Sequence, residues 1–235
     1  MRIFVVNLDT EVERFEKLSA RARDLQITIE RFPAIYGKGL SFKEKHKRVS
    51  YFKWSCIVGQ PPTDGEIGCA LSHMDVYKRI LDEKIPFACI LEDDVVLAHQ
   101  FKDVLRQVET FCQTNKSAII LLSNKHGVPN TINQITKVKE CATGTYGYVI
   151  TNEAAKAIVV RNRLLKCPSD FWPWLFKNKD VQLYKAFPTV CTYDVAYVSK
   201  TTLGKIKVSQ MSCWNKVLYK MKRGLGIVIA HLFLR

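Results

Sequence analysis

The sequence predicts an α/β fold in which a mostly parallel central sheet is flanked by helices. Short, continuous apolar runs alternate along the chain with segments whose apolar residues recur at helical spacing. Such runs are typical of strands buried on both faces, and their alternation with helices is typical of parallel sheets. The chain has 235 residues, 47% of them hydrophobic, and no Pro-, Ser- or Gly-rich linker divides it. We therefore predict one domain over residues 1–200 and a C-terminal tail over residues 201–235.

The first elements form a strand–helix–strand unit. Residues 3–6 are a continuous apolar run, and Thr10 with Glu13 has the spacing of a capping box for the next helix. Helical spacing of apolar residues continues to about Leu25. Residues 27–32 then predict a second strand, which ends in a turn.

The middle of the chain places a long helix before its most apolar strand. Residues 41–62 are basic and irregular, and predict a loop or flap. Thr63 and Glu66 form a second capping-box pair, and helical spacing continues to about Lys84. Pro86 ends this helix, and residues 87–91 predict a buried strand.

Four further segments complete the predicted domain. Residues 101–111 predict a helix, residues 118–122 a buried strand, and residues 124–142 a loop or hairpin. A last strand includes residues 149–150, after which Thr151 is expected to cap a helix that reaches about residue 165.

Three adjacent carboxylates, Glu92, Asp93 and Asp94, directly follow the most apolar strand. Their mutual repulsion and lost hydration would both be relieved by a divalent cation. Oxygen ligands suit Mg²⁺ or Mn²⁺, which also bind diphosphates and can neutralise a departing diphosphate. The alternative is a solvated acidic turn, and composition alone does not decide between the two.

Polar residues also follow the first strand. Asn7 and Asp9 come directly after it, and ligands of open α/β sheets bind outside the carboxyl ends of strands. Both residues are therefore candidates for binding the base or ribose of a nucleotide, unless Asp9 only helps to start the helix. Arg14, one turn into that helix, is a candidate for contact with a phosphate or a carboxylate, unless it lies on a solvated helix face.

The segment G-E-I-G-C-A-L-S-H at residues 65–73, followed by I-L-E-D-D-V at residues 90–95, resembles glycosyltransferase family 25. This family contains sugar transferases of lipopolysaccharide and lipooligosaccharide synthesis and also collagen galactosyltransferases. Further similar motifs are V-N-L-D at 6–9 with Arg14, F-P-A-I-Y-G at 32–37, G-T-Y-G-Y at 144–148 and P-S-D at 168–170. The family more often has an acidic residue in place of Tyr36. The resemblance covers about residues 1–195.

The resemblance implies a GT-A-like fold, a UDP-sugar donor, Mn²⁺ or Mg²⁺, and inversion at the anomeric carbon. The three carboxylates stand where related folds carry D-x-D, so Asp94 and then Glu92 are the expected metal ligands, with Asp93 as a catalytic residue. The donor-binding residues that it implies are Asn7, Asp9, Arg14, Ala34, His73, Glu92 and Thr145. For His73 the alternative is a packing residue on a partly apolar helix.

Inverting transfer requires a general base near the acceptor hydroxyl. Asp170 is our candidate, and Asp194 and Asp64 are the reserves. Trp172 and Trp174 are suited to stacking on the apolar face of an acceptor sugar. The alternative is an aromatic turn of the core in which Asp170 caps a short helix.

The C-terminal tail carries much of the net charge of +14. Eight basic residues and no acidic one lie between Lys200 and Arg235, and residues 225–234 form an apolar stretch. This stretch is shorter than the roughly 20 residues that span a bilayer, which favours a helix lying on an anionic membrane surface. The alternative is a helix that packs on the core or completes a homodimer. No nucleic-acid-binding motif accompanies the charge, so no nucleic-acid partner is expected.

Cysteine usage and the N-terminus predict the compartment. The eight cysteines form no C-x-x-C pair and several lie in apolar runs, which favours buried, reduced thiols over disulfides or a zinc site. Met1 leads directly into a strand without a signal peptide. We therefore expect a cytoplasmic bacterial enzyme, peripheral on the inner membrane, that adds galactose or glucose to a lipid-linked oligosaccharide of lipooligosaccharide. A catalytically inactive sugar- or membrane-binding module of the same fold is the alternative.

Overall fold

Strands and helices alternate in the computed structural model, which describes residues 1–123, 134–138, 146–171 and 180–194. The strands are β1 (Arg2–Asn7), β2 (Glu30–Pro33), β3 (Phe87–Glu92), β4 (Val95–Leu97), β5 (Ala118–Leu121), β6 (Gln134–Lys137), β7 (Gly147–Thr151), β8 (Gln182–Phe187) and β9 (Cys191–Tyr193). The helices are α1 (Val12–Asp24), α2 (Phe42–Arg48), α3 (Tyr51–Val58), α4 (Asp64–Asp82), α5 (Phe101–Thr114) and α6 (Asn152–Arg161), with a 3-10 turn at Gly37–Gly39.

Seven of these strands form the central sheet, in the order β2-β1-β3-β7-β5-β8-β6. The pairs β1–β2, β1–β3 and β5–β8 are parallel, whereas β7 is antiparallel to both β3 and β5, and β6 is antiparallel to β8. Five strands therefore run in one direction and two, β6 and β7, in the other. The predicted α/β fold with a mostly parallel sheet is confirmed. Strands β4 and β9 form a small separate sheet.

Both faces of the sheet are covered, which explains the continuous apolar runs. Along β3, Ala88 and Ile90 pack into a core with α4 and α6, while Cys89 and Leu91 pack into a second core with α1 and α5. All four residues are fully buried. Burial of each large aliphatic side chain contributes roughly 1.5–3 kcal/mol. The end of β3 is therefore held firmly at the centre of the sheet.

The segment predicted as a loop or flap over residues 41–62 instead contains α2 and α3, so that prediction was wrong. Ser41 forms a capping box with Glu44 at the start of α2, and Ser50 caps α3. Gly59, with φ of 85°, ends α3 in the left-handed conformation that glycine adopts without strain. Helix α2 buries no side chain and exposes Lys43 and Lys47, and α3 is only eight residues long, so neither shows the extended apolar periodicity by which longer helices are predicted.

Of the two predicted capping boxes, one is wrong and one is confirmed. Helix α1 begins after Glu11, whose side chain makes no capping bond, so the predicted Thr10 box does not start it. At α4 the predicted box is present, because Thr63 accepts a hydrogen bond from the Glu66 amide and Glu66 accepts one from the Thr63 amide. Helix α6 ends at Arg161, earlier than predicted.

Thr151 stands at the N-cap of α6, as predicted, but its side chain makes no capping bond. Its hydroxyl instead accepts a hydrogen bond from the Ala118 amide at 2.9 Å. No helix within the described ranges is both long and apolar enough to cross a bilayer.

Candidate active site

The carboxyl ends of three neighbouring strands meet at the acidic cluster. Glu92 is the last residue of β3, and the turn formed by Asp93 and Asp94 leads into β4. Parallel pairing places Val6 of β1 opposite Glu92, so that Asn7 lies beside the turn. The amide of Ala34, just after β2, donates to the Asn7 carbonyl at 2.9 Å. The predicted residues Asn7, Ala34, Glu92, Asp93 and Asp94 therefore share one edge of the sheet.

Asp93 is held by two side chains from the first strand–helix unit. Asn7 Nδ2 donates to Asp93 Oδ2 at 2.8 Å, and Arg14 Nη1 lies 3.4 Å from Asp93 Oδ1. Burial raises the pKa of Asp93, whereas the bond from Asn7 and the charge of Arg14 act to lower it. Asn7 and Arg14 therefore fix the position of the Asp93 carboxylate.

The amide of Asn7 is fully engaged. It is buried, its Nδ2 also donates to the Glu11 carbonyl at 2.8 Å, and its Oδ1 accepts from Arg31 Nε at 2.7 Å. Arg31 also pairs with Asp9, the side chain of which is 80% exposed. Asn7 thus orients the acidic turn, while Asp9 projects toward solvent at the same edge.

Asp94 has the chemistry of a cation ligand. Its Oδ1 atom is buried and has no hydrogen-bond partner among the described residues. Burial, followed by the charges of Glu92 and Asp93, raises the pKa of Asp94 to about 7. A buried carboxylate oxygen without a donor, beside two further carboxylates, fits an oxygen-seeking divalent cation. The turn is fixed from outside because the Asp194 amide donates to the Asp94 carbonyl at 2.8 Å.

A buried polar chain leads from Glu92 into the core. His73 Nε2 lies 3.8 Å from Glu92 Oε1, and His73 Nδ1 lies 2.7 Å from the Tyr148 hydroxyl. The Tyr148 hydroxyl in turn lies 2.6 Å from that of Tyr77. Burial raises the pKa of both tyrosines, so their hydroxyls stay protonated at neutral pH. His73 therefore lies beside Glu92 of the acidic cluster, and its role in donor binding stays a prediction.

Close packing of α4 positions the end of β2. A Cβ on Gly68 would lie 2.5 Å from the Ile35 carbonyl oxygen, so only glycine permits this approach without a backbone shift. Ser72 Oγ accepts a hydrogen bond from the Ile35 amide at 2.8 Å and donates to the Gly68 carbonyl. The glycine and serine of the G-C-A-L-S-H segment therefore have structural roles, which leaves its cysteine and histidine facing the cluster.

The segment that carries Asp170 lies beside α4. Ser169 Oγ is 3.4 Å from Cys69 Sγ, and the Phe171 amide donates to the Pro168 carbonyl to close a turn. The charges of Glu92 and Asp170 both act to raise the pKa of the Cys69 thiol. Asp170 and Glu92 thus act electrostatically on the same thiol from different elements.

The two reserve bases have cationic partners. Lys17 Nζ lies 2.5 Å from Asp194 Oδ2, and Lys45 Nζ lies 2.5 Å from Asp64 Oδ1. Asp64 is the first residue of α4, nine residues before His73, a separation of roughly 13 Å along the helix axis. The assignment of the general base to Asp170 stays a prediction. Thr145, Trp172 and Trp174 lie outside the described residues.

A family model supplies the deciding comparison. The model of glycosyltransferase family 25, described as LPS biosynthesis proteins, matches residues 1–172, from before β1 to just beyond Asp170. The chain belongs to glycosyltransferase family 25.

Among similar proteins, procollagen galactosyltransferase 2 of Homo sapiens is 28% identical over 200 residues, covering 79% of this chain and 32% of that protein. Procollagen galactosyltransferase 1-A of Xenopus laevis is 26% identical over 235 residues, covering 85% and 38%. A glycosyltransferase 25 family member of Drosophila melanogaster is 26% identical over 233 residues, covering 85% and 37%. The chain thus spans about a third of the length of these curated relatives.

Three residues of this family 25 site were not predicted from the sequence. Arg31 orders Asn7 and Asp9, Tyr148 orients His73, and Cys69 is exposed beside Glu92 rather than buried. For Cys69 the available signal was its spacing of four residues from His73, which places both side chains on one helix face. The other described cysteines are free, and all but Cys56 are buried, as expected for reduced thiols.

Proposed function

We propose that this family 25 chain is a hexosyltransferase that moves galactose or glucose from a UDP-sugar to a saccharide hydroxyl. The observation that carries the proposal is the buried, donor-free Oδ1 of Asp94 within a carboxylate cluster where three strands end. Nucleotide ligands of α/β sheets bind at this edge. Because the chain belongs to a glycosyltransferase family, we expect the nucleotide bound at this edge to carry a sugar.

Asp94 and Glu92 would hold Mn²⁺ or Mg²⁺. The ion would stabilise the charge that develops on the departing UDP, as a Lewis acid does. Asp93 stays bound to Asn7 and Arg14, and so keeps the turn in the position that presents Asp94. This division of roles assigns Asp93 an orienting part in catalysis.

The donor nucleotide would lie across the ends of β1 and β2. The exposed carboxylate of Asp9, held by Arg31, is suited to the ribose hydroxyls. Arg14 of α1 and His73 of α4 approach the acidic cluster from two different helices. The diphosphate and the donor sugar would lie beside these two side chains. Ala34 and Thr145 complete the donor residues that we assign.

The acceptor would enter on the side of Asp170. The acceptor hydroxyl transfers its proton to the Asp170 carboxylate while its oxygen bonds to the anomeric carbon. The bond from that carbon to the UDP oxygen breaks on the opposite face, so the anomeric configuration inverts. Trp172 and Trp174 follow Asp170 closely in the sequence and would stack on the acceptor sugar.

The test is a screen of UDP-hexoses with and without Mn²⁺, monitored by UDP release. We expect Mn²⁺-dependent release with one UDP-hexose, and its loss in Asp94→Ala but not in Asp103→Ala, an exposed acid on α5. Absence of turnover with every UDP-hexose, together with absence of Mn²⁺ binding, would support the alternative of a catalytically inactive sugar- or membrane-binding module.

We propose lipid-linked oligosaccharide of lipooligosaccharide as the acceptor, with the chain on the cytosolic face of a bacterial inner membrane. The family description and the basic tail over residues 201–235 support this acceptor. A second candidate is a procollagen-type protein, because two of the similar proteins are named procollagen galactosyltransferases. Offering both acceptors with the preferred UDP-hexose separates them. Any homodimer formed through the tail stays a prediction.

Membrane association draws further support from α2 and α3. Phe42 and Phe52 are 76% and 75% exposed, the two most exposed of the large apolar side chains described. Lys43 and Lys47 of α2 are also exposed. Exposed aromatic rings among cationic side chains suit the interface of an anionic bilayer. This surface would bring the enzyme to a lipid-linked acceptor.

A further inference from the structure

Three different ligand atoms converge between α4 and the end of β3. Cys69 Sγ, one ring nitrogen of His73 and a Glu92 carboxylate oxygen all lie within 4.8 Å of one another. Cys69 and His73 are four residues apart on α4, so their side chains project from the same face. A thiol, an imidazole and a carboxylate together form a softer donor set than the oxygen cluster around Asp94.

His73 is oriented for an incoming ligand. The residue is 1% exposed, and its Nε2 atom has no hydrogen-bond partner among the residues that the structure describes. The Glu92 oxygen at 3.8 Å is too far away for a hydrogen bond. Nδ1, by contrast, is bonded to the Tyr148 hydroxyl. Histidines that bind metals are oriented in this way, with one ring nitrogen fixed by a partner and the other left for the cation.

We propose that Cys69, His73 and Glu92 form a site for a borderline-soft divalent cation of the zinc type. Tetrahedral zinc with bonds of about 2.0–2.3 Å separates its ligand atoms by roughly 3.2–3.8 Å. The separation of His73 from Glu92 already falls at the upper end of this range. Cys69 is exposed, so solvent or substrate can take the fourth position. Binding converts the thiol to a metal-bound thiolate and releases its proton.

Glu92 connects this site to the proposed Mn²⁺ or Mg²⁺ site. A zinc ion that takes the Glu92 carboxylate removes one ligand from the cation held by Asp94. Zinc should therefore inhibit transfer in competition with Mn²⁺, a consequence that rests on the proposed function. Binding of the soft cation itself does not depend on that function.

The experiment uses Co²⁺ as a spectroscopic substitute for zinc on the full chain. We expect a near-ultraviolet thiolate-to-cobalt charge-transfer band at one equivalent of Co²⁺. Cys69→Ser should abolish this band, while Cys56→Ser, a matched change at a partly exposed cysteine, should retain it. Tyr148→Phe should weaken Co²⁺ binding about tenfold, because it removes the partner of Nδ1.

The outcomes separate this inference from the proposed function. An absent band in the unaltered chain, or an unchanged band in Cys69→Ser, overturns the site even if UDP-hexose is turned over. A band lost only with Cys69 supports the site even if no turnover is found. Where turnover is found, the zinc concentration for half inhibition should be at least tenfold higher in Cys69→Ser than in Cys56→Ser.

Discussion

Asn7 Nδ2 donates a 2.8 Å hydrogen bond to Asp93 Oδ2, which joins the end of β1 to the turn that follows β3. The two residues are 86 positions apart in the sequence. The bond fixes the middle carboxylate of the acidic cluster, so that its neighbours Glu92 and Asp94 are presented at a defined position.

Replacement of Asn7 tests this relationship. Asn7→Ala removes the hydrogen bonds that the buried Asn7 amide makes with Asp93 and Arg31, which should lower the free energy of unfolding by about 1–3 kcal/mol. Urea denaturation measures this loss. Asn115→Ala at the end of α5, which removes local bonds only, is the control and should cost less. Equal losses in both variants would contradict the orienting role of Asn7.

Asp94 should make the metal-free chain less stable as pH rises. Its pKa of about 7 lies above the value of about 3.9 in an unfolded chain. The folded state therefore favours the protonated form, whose contribution is fully present below pH 4 and lost as pH rises through about 7. Asp94→Asn should exceed the unaltered chain in stability at pH 8, by about 1–4 kcal/mol, and match it near pH 4.

Chemical denaturation at both pH values, in the presence of a chelator, measures this difference. Added Mn²⁺ should stabilise the unaltered chain at pH 8 but not Asp94→Asn, since binding to the folded state alone shifts the equilibrium. A difference between the two chains that does not change with pH would contradict the assignment of a raised pKa to Asp94.

Asp170→Asn tests the general base. The amide cannot take the proton of the acceptor hydroxyl, so kcat should fall by about 10²–10⁴-fold. The Kd for UDP, measured by calorimetry, should change less than twofold. Asp103→Asn serves as the surface control. A comparable loss of UDP affinity would assign Asp170 to binding or structure instead.

Gly68→Ala tests the close contact of α4. The added methyl group would meet the Ile35 carbonyl at 2.5 Å and the Gly37 amide nitrogen at 2.7 Å, both backbone atoms. We expect a loss of about 1–3 kcal/mol in unfolding free energy. Gly39→Ala is the matched control, because its methyl group would meet only the Tyr36 ring, at 3.2 Å. Similar melting temperatures for the two variants would show that α4 moves away without cost.

Replacement of the exposed rings of α2 and α3 tests whether this surface binds a membrane. Phe42→Ser combined with Phe52→Ser should lower binding to phosphatidylserine vesicles about tenfold, because two apolar side chains no longer enter the interface. Co-sedimentation measures the bound fraction. Val160→Ser on α6, at 72% exposure, is the control and should bind like the unaltered chain. Unchanged binding by the double variant would contradict a membrane role for this surface.

The parts of the fold that the sequence predicted are those with strong local signals. Helix α4 has its capping box and a long apolar face, and β3 is a run that is buried on both sides. Helices α2 and α3 were missed because tertiary contacts and caps, rather than apolar periodicity, form them. The reversed direction of β7 could not be predicted from composition, since strand direction depends on the path of the intervening chain.

The site was predictable to the level of residue type but not of contact. The spacing of Glu92 from the preceding apolar run indicated a ligand site, and the motif similarity added His73 and Asp170. Neither signal tells which carboxylate is held by a partner, because Asn7 and Arg14 contact Asp93 across about 80 positions or more. Nor does an apolar sequence context distinguish an exposed cysteine such as Cys69 from a buried one.

The pairing of β4 with β9 determines the order in which the site is assembled. Val95 lies opposite Tyr193, and the Asp194 amide donates to the Asp94 carbonyl. Contacts between residues nearly 100 positions apart therefore complete the acidic turn. During synthesis the strands β1 and β3 leave the ribosome long before β9 does. The acidic turn therefore gains its contacts with β9 and Asp194 only after residue 194 has emerged, so the site is completed late in synthesis. Loop closure of this length makes the β4–β9 pair a slow contact to form.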